Sequence, residues 1–203
     1  DYDVEQGKIV LDHHIVPFLN IETALESMLF CIANQVIRWE KPIKFILNLR
    51  RESYLHHKDA TSKITSINLL TDKQKINDIA MKSDLRFPHQ KRFDEAIDYF
   101  VNKNHFWWEE IKNADVDFRE NYLKKGPKYL GRKTFSLWHL CLGGKNLLAL
   151  DVHVLNHLNK FGVNMNPPYY TPLKRIKGAQ KVRVTPTKLD YLRIEREAND
   201  FFS

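Results

Sequence analysis

Apolar residues recur along this chain at intervals of three and four, the spacing of one buried helix face, and strand-like alternation is scarce. From Asn20 the pattern runs through Ala24, Leu25, Met28, Leu29, Ile32 and Val36, with Asn20 suited to cap the first open backbone amides. Pro42 fits the first turn of a second helix carrying Phe45, Ile46 and Leu49, because proline lacks a donor that the first turn would leave unused. Thr71 and Gln74 form a capping-box pattern ahead of Ile76, Ile79 and Ala80. Pro88 opens a helix carrying Phe93, Ile97, Phe100 and Val101.

Asp115 predicts the cap of a short helix through Phe118, Tyr122 and Leu123, which Gly126 closes in a left-handed conformation and Pro127 keeps from continuing. After the turn from Lys128 to Gly131, a new helix runs from Arg132 to about Leu142 with Phe135, Leu137, Trp138 and Cys141 on it, and Gly143-Gly144 ends it. This reads as helix, hairpin, helix. Asp151 stands just before a further helix over 152–161 that Gly162 terminates. Residues 163–184, rich in Pro, Gly and Lys, read as a long loop, and a last helix from about Pro186 carries Tyr191, Ile194, Ala198 and Phe201. The expected fold class is all-α.

At 203 residues the chain can bury a real core, as one domain or as two small lobes sharing a cleft. A formal charge of +7 favours an anionic partner, and 12% aromatic residues offer flat faces on which bases could stack. Nucleic acid is the first expectation and an anionic membrane surface its rival. No run approaches the roughly eighteen apolar residues of a spanning helix, and the opening stretch lacks a signal-peptide pattern, so a soluble, intracellular protein is expected.

Cys31 and Cys141 both fall within apolar helical patterns and read as buried free thiols. Two cysteines cannot supply a four-cysteine iron-sulfur site, and no zinc spacing occurs. His153 and His157, four apart on one helix, have a spacing that suits a metal, against the plainer reading of one packed and one exposed histidine. Trp107 and Trp108 read as one core ring beside one partly exposed ring, with no site role.

Lys133 and Asp151 carry the candidate chemistry, eighteen positions apart with one apolar helix-length segment between them. A primary amine that attacks carbon must lose its proton near neutral pH, which desolvation on an apolar element promotes, and Lys133 opens such an element. The hairpin before it presents backbone amides at a helix start, where the helix dipole also favours a phosphate. Asp151, at the start of the following helix, could cap it, and there the dipole would keep it ionised.

The segment from Tyr122 to Gly162 resembles the signature of the helix-hairpin-helix DNA glycosylase superfamily, which includes endonuclease III and the 8-oxoguanine DNA glycosylases. The likeness lies in Gly131-Arg132-Lys133-Thr134, the apolar helix behind it, and Asp151-Val152-His153-Val154. It extends more loosely to Ile32-Ala33-Asn34-Gln35 and to Leu85-Arg86-Phe87 through Lys91-Arg92. The family usually has Leu-Pro-Gly-Val-Gly through the hairpin, where this chain has Pro127-Lys128-Tyr129-Leu130-Gly131. A left-handed conformation would cost a tyrosine, so a hairpin of different shape or with fewer usable amides is expected, with Lys128 contacting phosphate directly.

The resemblance implies two helical lobes around a DNA-binding cleft: a central bundle over 21–131 ending in the hairpin, and a second lobe from 1–20 and 132–203. It implies a base-excision DNA glycosylase with AP lyase activity, with Lys133 as nucleophile and Asp151 as its assistant. Gln35 and Asn34 match the segment that fills the gap left by the flipped base, and Lys128, Tyr129, Gly131 and Arg132 match the hairpin that holds DNA. Branches bearing an iron-sulfur cluster are excluded by the cysteine count, which tilts the substrate toward 8-oxoguanine. Oxidised pyrimidines, mismatched thymine or uracil, or a non-catalytic DNA-binding module are the alternatives. No cofactor is required, a monovalent cation at the hairpin is compatible, and the partner is double-stranded DNA with a damaged base or abasic site. A monomer associated with DNA, in cytoplasm, nucleoid or nucleus, is expected.

Overall fold

The computed structural model describes residues 20–35, 40–56, 65–85, 87–102, 107–150, 154, 158, 160–162 and 188–202. Among these residues the regular structure is entirely helical, as the apolar spacing predicts. The chain divides into two compact units, Asp1–Ala149 and Leu150–Ser203. That boundary falls later than the expected division after Gly131, so both helices flanking the hairpin belong to the first unit.

Helix α1 (Ile21–Ala33) starts where Asn20 and Thr23 cap one another. Asn20 Oδ1 accepts from the Thr23 amide at 2.8 Å, and Thr23 Oγ1 accepts from the Asn20 amide at 3.1 Å. Every residue from Ala24 to Ala33 is buried, so α1 is the central rod of the unit rather than a surface helix with one apolar stripe. Around it pack α2 (Glu40–His56), α3 (Ile67–Leu70), α5 (Phe87–Val101) and α8 (Arg132–Cys141), while α4 (Lys73–Lys82) lies against α2, α3 and α5. The Trp138 indole N–H donates to the Ala24 carbonyl at 3.1 Å and anchors α8 on α1. Phe45 of α2 stacks on Phe93 of α5 with centroids 5.0 Å apart. Short helix α6 (Trp107–Lys112) brings Trp108 and Ile111 into this core, and α7 (Val116–Lys125) leads to the hairpin.

One charged pair interrupts the apolar centre. Arg50 of α2 grips Glu26 of α1, with Nη2 to Oε1 at 2.5 Å and Nε 3.1 Å from the same oxygen, and both side chains are buried. The Thr65 hydroxyl donates to the other Glu26 oxygen. The carboxylate is therefore paired and hydrogen-bonded, the condition under which a buried charge is tolerated.

Several helix ends differ from expectation. Asp72, not Thr71, caps α4 by accepting from the Lys75 amide at 3.1 Å. Thr71 instead ends α3, its hydroxyl donating to the Ile67 carbonyl at 2.9 Å. Gly126 ends α7 at φ −82, outside the left-handed region. Glycine is required there by space, because a Cβ would lie 2.9 Å from Tyr122 Cε1. Val101 is exposed at the end of α5 rather than buried with Phe93, Ile97 and Phe100. The end of α8 follows the expected glycine logic: Gly143 takes φ +84 and donates to Leu140, while Gly144 donates to His139 at 2.9 Å.

In the second unit, α9 (Lys188–Phe202) buries Tyr191, Ile194 and Ala198 at helical spacing. The Tyr191 hydroxyl accepts from the Leu150 amide at 3.1 Å. Of the helix expected over 152–161, Val154, Leu158 and Lys160 are described and helical, and Gly162 takes φ +90. Val36, the loop over 163–184 and the start of the last helix at Pro186 lie outside the described residues. No helix among the described residues is long and apolar enough to cross a membrane.

Candidate nucleic-acid interface at the hairpin

The hairpin between α7 and α8 is a tight turn in which the Leu130 amide donates to the Pro127 carbonyl at 3.0 Å. Lys128 and Tyr129, its central residues, both keep negative φ, since Asp84 is the only described non-glycine residue with positive φ. A turn of that kind accepts any L-residue, so the conformational cost expected at Tyr129 does not arise. The hairpin is closed by a turn that needs no glycine at its centre.

Gly131 is the N-cap of α8, extended at φ −88 and ψ 174, and supplies no side-chain cap. A Cβ placed on it would meet nothing within 4 Å, so the approach to the first turn of α8 is open. Lys133 lies in that turn and is exposed. The apolar residues Phe135 and Trp138 point into the core, away from the face that carries Lys133. The desolvation expected for its amine is therefore not supplied by its own helix. Lys124, Lys125 and Lys128 are also exposed along the same connection, and the Lys128 amide donates to Glu95 Oε1 at 3.2 Å.

Arg132 is committed to the protein. Its Nε and Nη2 both donate at 2.8 Å to the two oxygens of Glu120, a bidentate pair across the hairpin from α8 to α7. The same carboxylate lies 3.2 Å from Nη2 of Arg119, a fully buried arginine that also donates to Ser136 Oγ at 3.1 Å. Partial burial pushes the Glu120 carboxyl up, but the Arg132 hydrogen bonds and charge, with Arg119, outweigh it and hold it below the ordinary carboxylate range.

Gln35 is held against the hairpin from behind. Its Nε2 donates to the Tyr129 carbonyl at 3.0 Å and to Thr134 Oγ1 at 2.8 Å. Its Oε1 accepts from Arg92 Nη1 at 2.7 Å, and its own carbonyl accepts from His89 Nε2 at 3.1 Å. Arg92 also lies over the Tyr129 ring, 5.5 Å from its centroid. Asn34, next to it, ends α1 with its amide donating to the Phe30 carbonyl at 2.9 Å, and no hydrogen bond engages its side chain among the described residues.

Six of the eight expected site residues thus lie at or beside one turn: Gln35 bonded behind it with Asn34 next to it in the chain, Lys128 and Tyr129 at its centre, Gly131 and Arg132 just after it. Lys133 follows on the open side. Asp151 lies outside the described residues, as do His153, His157 and the side chains of Trp107, Phe201 and Phe202. Arg92, His89, Thr134 and Glu120 join the site through bonds that no sequence motif marks. Arg92 ends one of the stretches carrying the family likeness. The Glu120 and Arg132 pair spans a turn, outside the three- and four-residue spacing that marks helical ion pairs.

Compared with protein-family models, with curated proteins and with solved structures, the chain matches none.

Proposed function

We propose that this chain is a base-excision DNA repair glycosylase with AP lyase activity, using Lys133 as nucleophile and Asp151 as its assistant on an oxidised base, 8-oxoguanine first. One observation carries the reading: Lys133 stands exposed in the uncapped first turn of α8, directly after a hairpin whose Gly131 leaves the approach open. A phosphate at that turn meets backbone amides and the positive end of the helix dipole. Lys128, Lys124 and Lys125 add charge along the same connection.

On this reading the damaged nucleotide is rotated out of the stack and its sugar comes to Lys133. Because Lys133 is exposed, its amine is desolvated by the bound nucleotide rather than by its own helix. The neutral amine attacks C1′, and the base departs with the bonding electrons and takes up a proton. The amine-linked sugar opens to a Schiff base. Removal of a C2′ proton then expels the 3′ phosphate, so one site excises and nicks. Asp151 stabilises the cationic sugar and manages protons. Between the two amides expected to fill the emptied stack, Asn34 suits the role better, because Gln35 commits both ends of its amide to the hairpin and Arg92.

The test is borohydride trapping on duplexes carrying 8-oxoguanine, an oxidised pyrimidine, or mismatched thymine or uracil. The expected result is a covalent complex with the 8-oxoguanine duplex that Lys133→Gln abolishes while DNA binding persists. A complex that survives Lys133→Gln, or none with any lesion, overturns the proposal. Salt-sensitive binding without scission at an abasic site would identify a non-catalytic DNA-binding module instead.

A further inference from the structure

Helices α1 and α8 meet at one further pair of atoms that the proposed chemistry does not use. Cys31, near the end of α1, and Cys141, the last residue of α8, hold their sulfurs 3.9 Å apart although they are 110 positions apart in the chain. Both are free thiols and both are buried, Cys31 at 1% exposure and Cys141 at 7%. The Trp138 bond to Ala24 fixes the two helices against each other, so the sulfurs face one another as part of the packed core.

We propose that Cys31 and Cys141 form an oxidation site that closes an intramolecular disulfide when the protein meets a hydroperoxide. The sulfurs of a disulfide sit about 2.05 Å apart, so closure needs roughly 2 Å of approach, within reach of side-chain rotation on two helices already in contact. A soft metal ion is the competing use of two thiols. Among the described residues no group of three or more His, Cys, Asp or Glu converges to complete such a site.

The order of events follows from burial. Cys31 is enclosed, and its thiol is pushed well above the ordinary range by that burial, with Cys141 adding to the effect. Cys141 is the less buried of the two and ends α8 two residues before exposed Gly143, so it meets the oxidant first. Its thiolate attacks a peroxide oxygen and breaks the O–O bond, giving a sulfenic acid and an alcohol or water. The Cys31 sulfur then attacks the Cys141 sulfur, and the hydroxyl leaves as water with the Cys31 proton. Two thiols and one hydroperoxide become one disulfide, one alcohol or water, and one further water. A thiol already in contact intercepts the sulfenic acid before further oxygen is added. The link would tie the helix that leads to Asn34 and Gln35 to the helix that begins beside Lys133.

The experiment treats the full chain with hydrogen peroxide, alkylates it under denaturing conditions and weighs it intact, then maps the cysteine peptides. The expected result is a monomer lighter by two hydrogens, about 2 Da, with Cys31 and Cys141 peptides linked and the change reversed by dithiothreitol. In Cys31→Ser the loss disappears and oxygen accumulates on Cys141. Oxygen gain at Cys141 of the native chain, a link between two chains, or no change under peroxide that oxidises an exposed control thiol each overturns the proposal. Lesion trapping is a separate readout, so failure here leaves the glycosylase reading to be judged by its own test.

Discussion

Gln35 Nε2 lies 3.0 Å from the Tyr129 carbonyl, and that bond fastens the end of the central helix to the turn that precedes Lys133. The same nitrogen reaches Thr134 Oγ1, in the first turn of α8, at 2.8 Å. Arg92 closes the arrangement from the other side, donating to Gln35 Oε1 and covering the Tyr129 ring. A turn without glycine at its centre is thereby held in one shape by an amide, an arginine and a threonine.

Replacing Gln35 by Leu removes two donors and one acceptor at once and leaves Arg92 and the Tyr129 carbonyl without that partner. The expected loss is about 1–3 kcal/mol, with faster hydrogen exchange at the Leu130 to Lys133 amides. Gln35→Glu keeps an acceptor for Arg92 but turns an oxygen toward the Tyr129 carbonyl, so exchange should rise there as well. Melting curves and amide exchange on the two variants check this. Unchanged exchange in both would mean the turn holds its shape without Gln35.

Glu120 makes stability depend on acid. Its carboxyl is held below the ordinary value in the folded chain, chiefly by Arg132 against the opposing effect of burial, so folding favours the ionised form. The stabilisation is fully present above the unfolded carboxyl value of about 4.3 and is lost as pH falls through the lower folded value. Glu120→Gln should lower stability at neutral pH and flatten its dependence on pH below about 4.5. Denaturant melts of both proteins from neutral pH downward measure the difference in slope.

Local chemistry was legible wherever it was written in adjacent residues. Asn20, Asp115 and Pro42 mark helix starts because a cap or a first turn involves residues three or four apart, and Gly143-Gly144 marks an end for the same reason. Thr71 misled by one position because Asp72, equally fit to cap, stands beside it and a four-residue helix precedes it. The turn at Tyr129 is closed with negative φ at its centre, so the left-handed cost expected of a tyrosine there does not arise, and only the backbone dihedrals decide that. Tertiary bonds were not legible at all. Nothing local tells that Gln35 reaches Tyr129, or that Glu120 holds Arg132, because those pairs exist only once α1, α5, α7 and α8 have packed.

Gly144 owes its identity to a histidine. A Cβ there would lie 2.1 Å from His139 Cε1, and the imidazole is fully buried and held at both nitrogens. Nδ1 donates to the Ile111 carbonyl at 2.7 Å, and Nε2 accepts from the Asn146 amide at 3.1 Å. The ring cannot retreat without breaking those bonds, so Gly144→Ala should cost about 3 kcal/mol or more. Gly143→Ala meets only Lys112 Cε at 3.8 Å and suffers the left-handed backbone alone, about 1–2 kcal/mol. Denaturant melts of the two variants should therefore rank the glycine with ordinary φ as the more sensitive one, and the reverse order would refute the steric account.

The Glu26 and Arg50 pair makes a prediction whose sign depends on how many partners are changed. Arg50→Met leaves a buried carboxylate facing only the Thr65 hydroxyl, and the expected cost is about 3–5 kcal/mol. Glu26→Leu leaves the guanidinium stranded against α1 and should cost a similar amount. Changing both together removes the desolvation penalty of two charges and replaces them with apolar volume, so the double variant should be more stable than either single one. Its remaining deficit is the Thr65 hydroxyl left without its acceptor, about 1 kcal/mol. A double-mutant cycle by denaturant melting measures this. A double variant as unstable as the sum of the singles would mean zero coupling between the two side chains, and would refute the account in which each single change costs by stranding its partner.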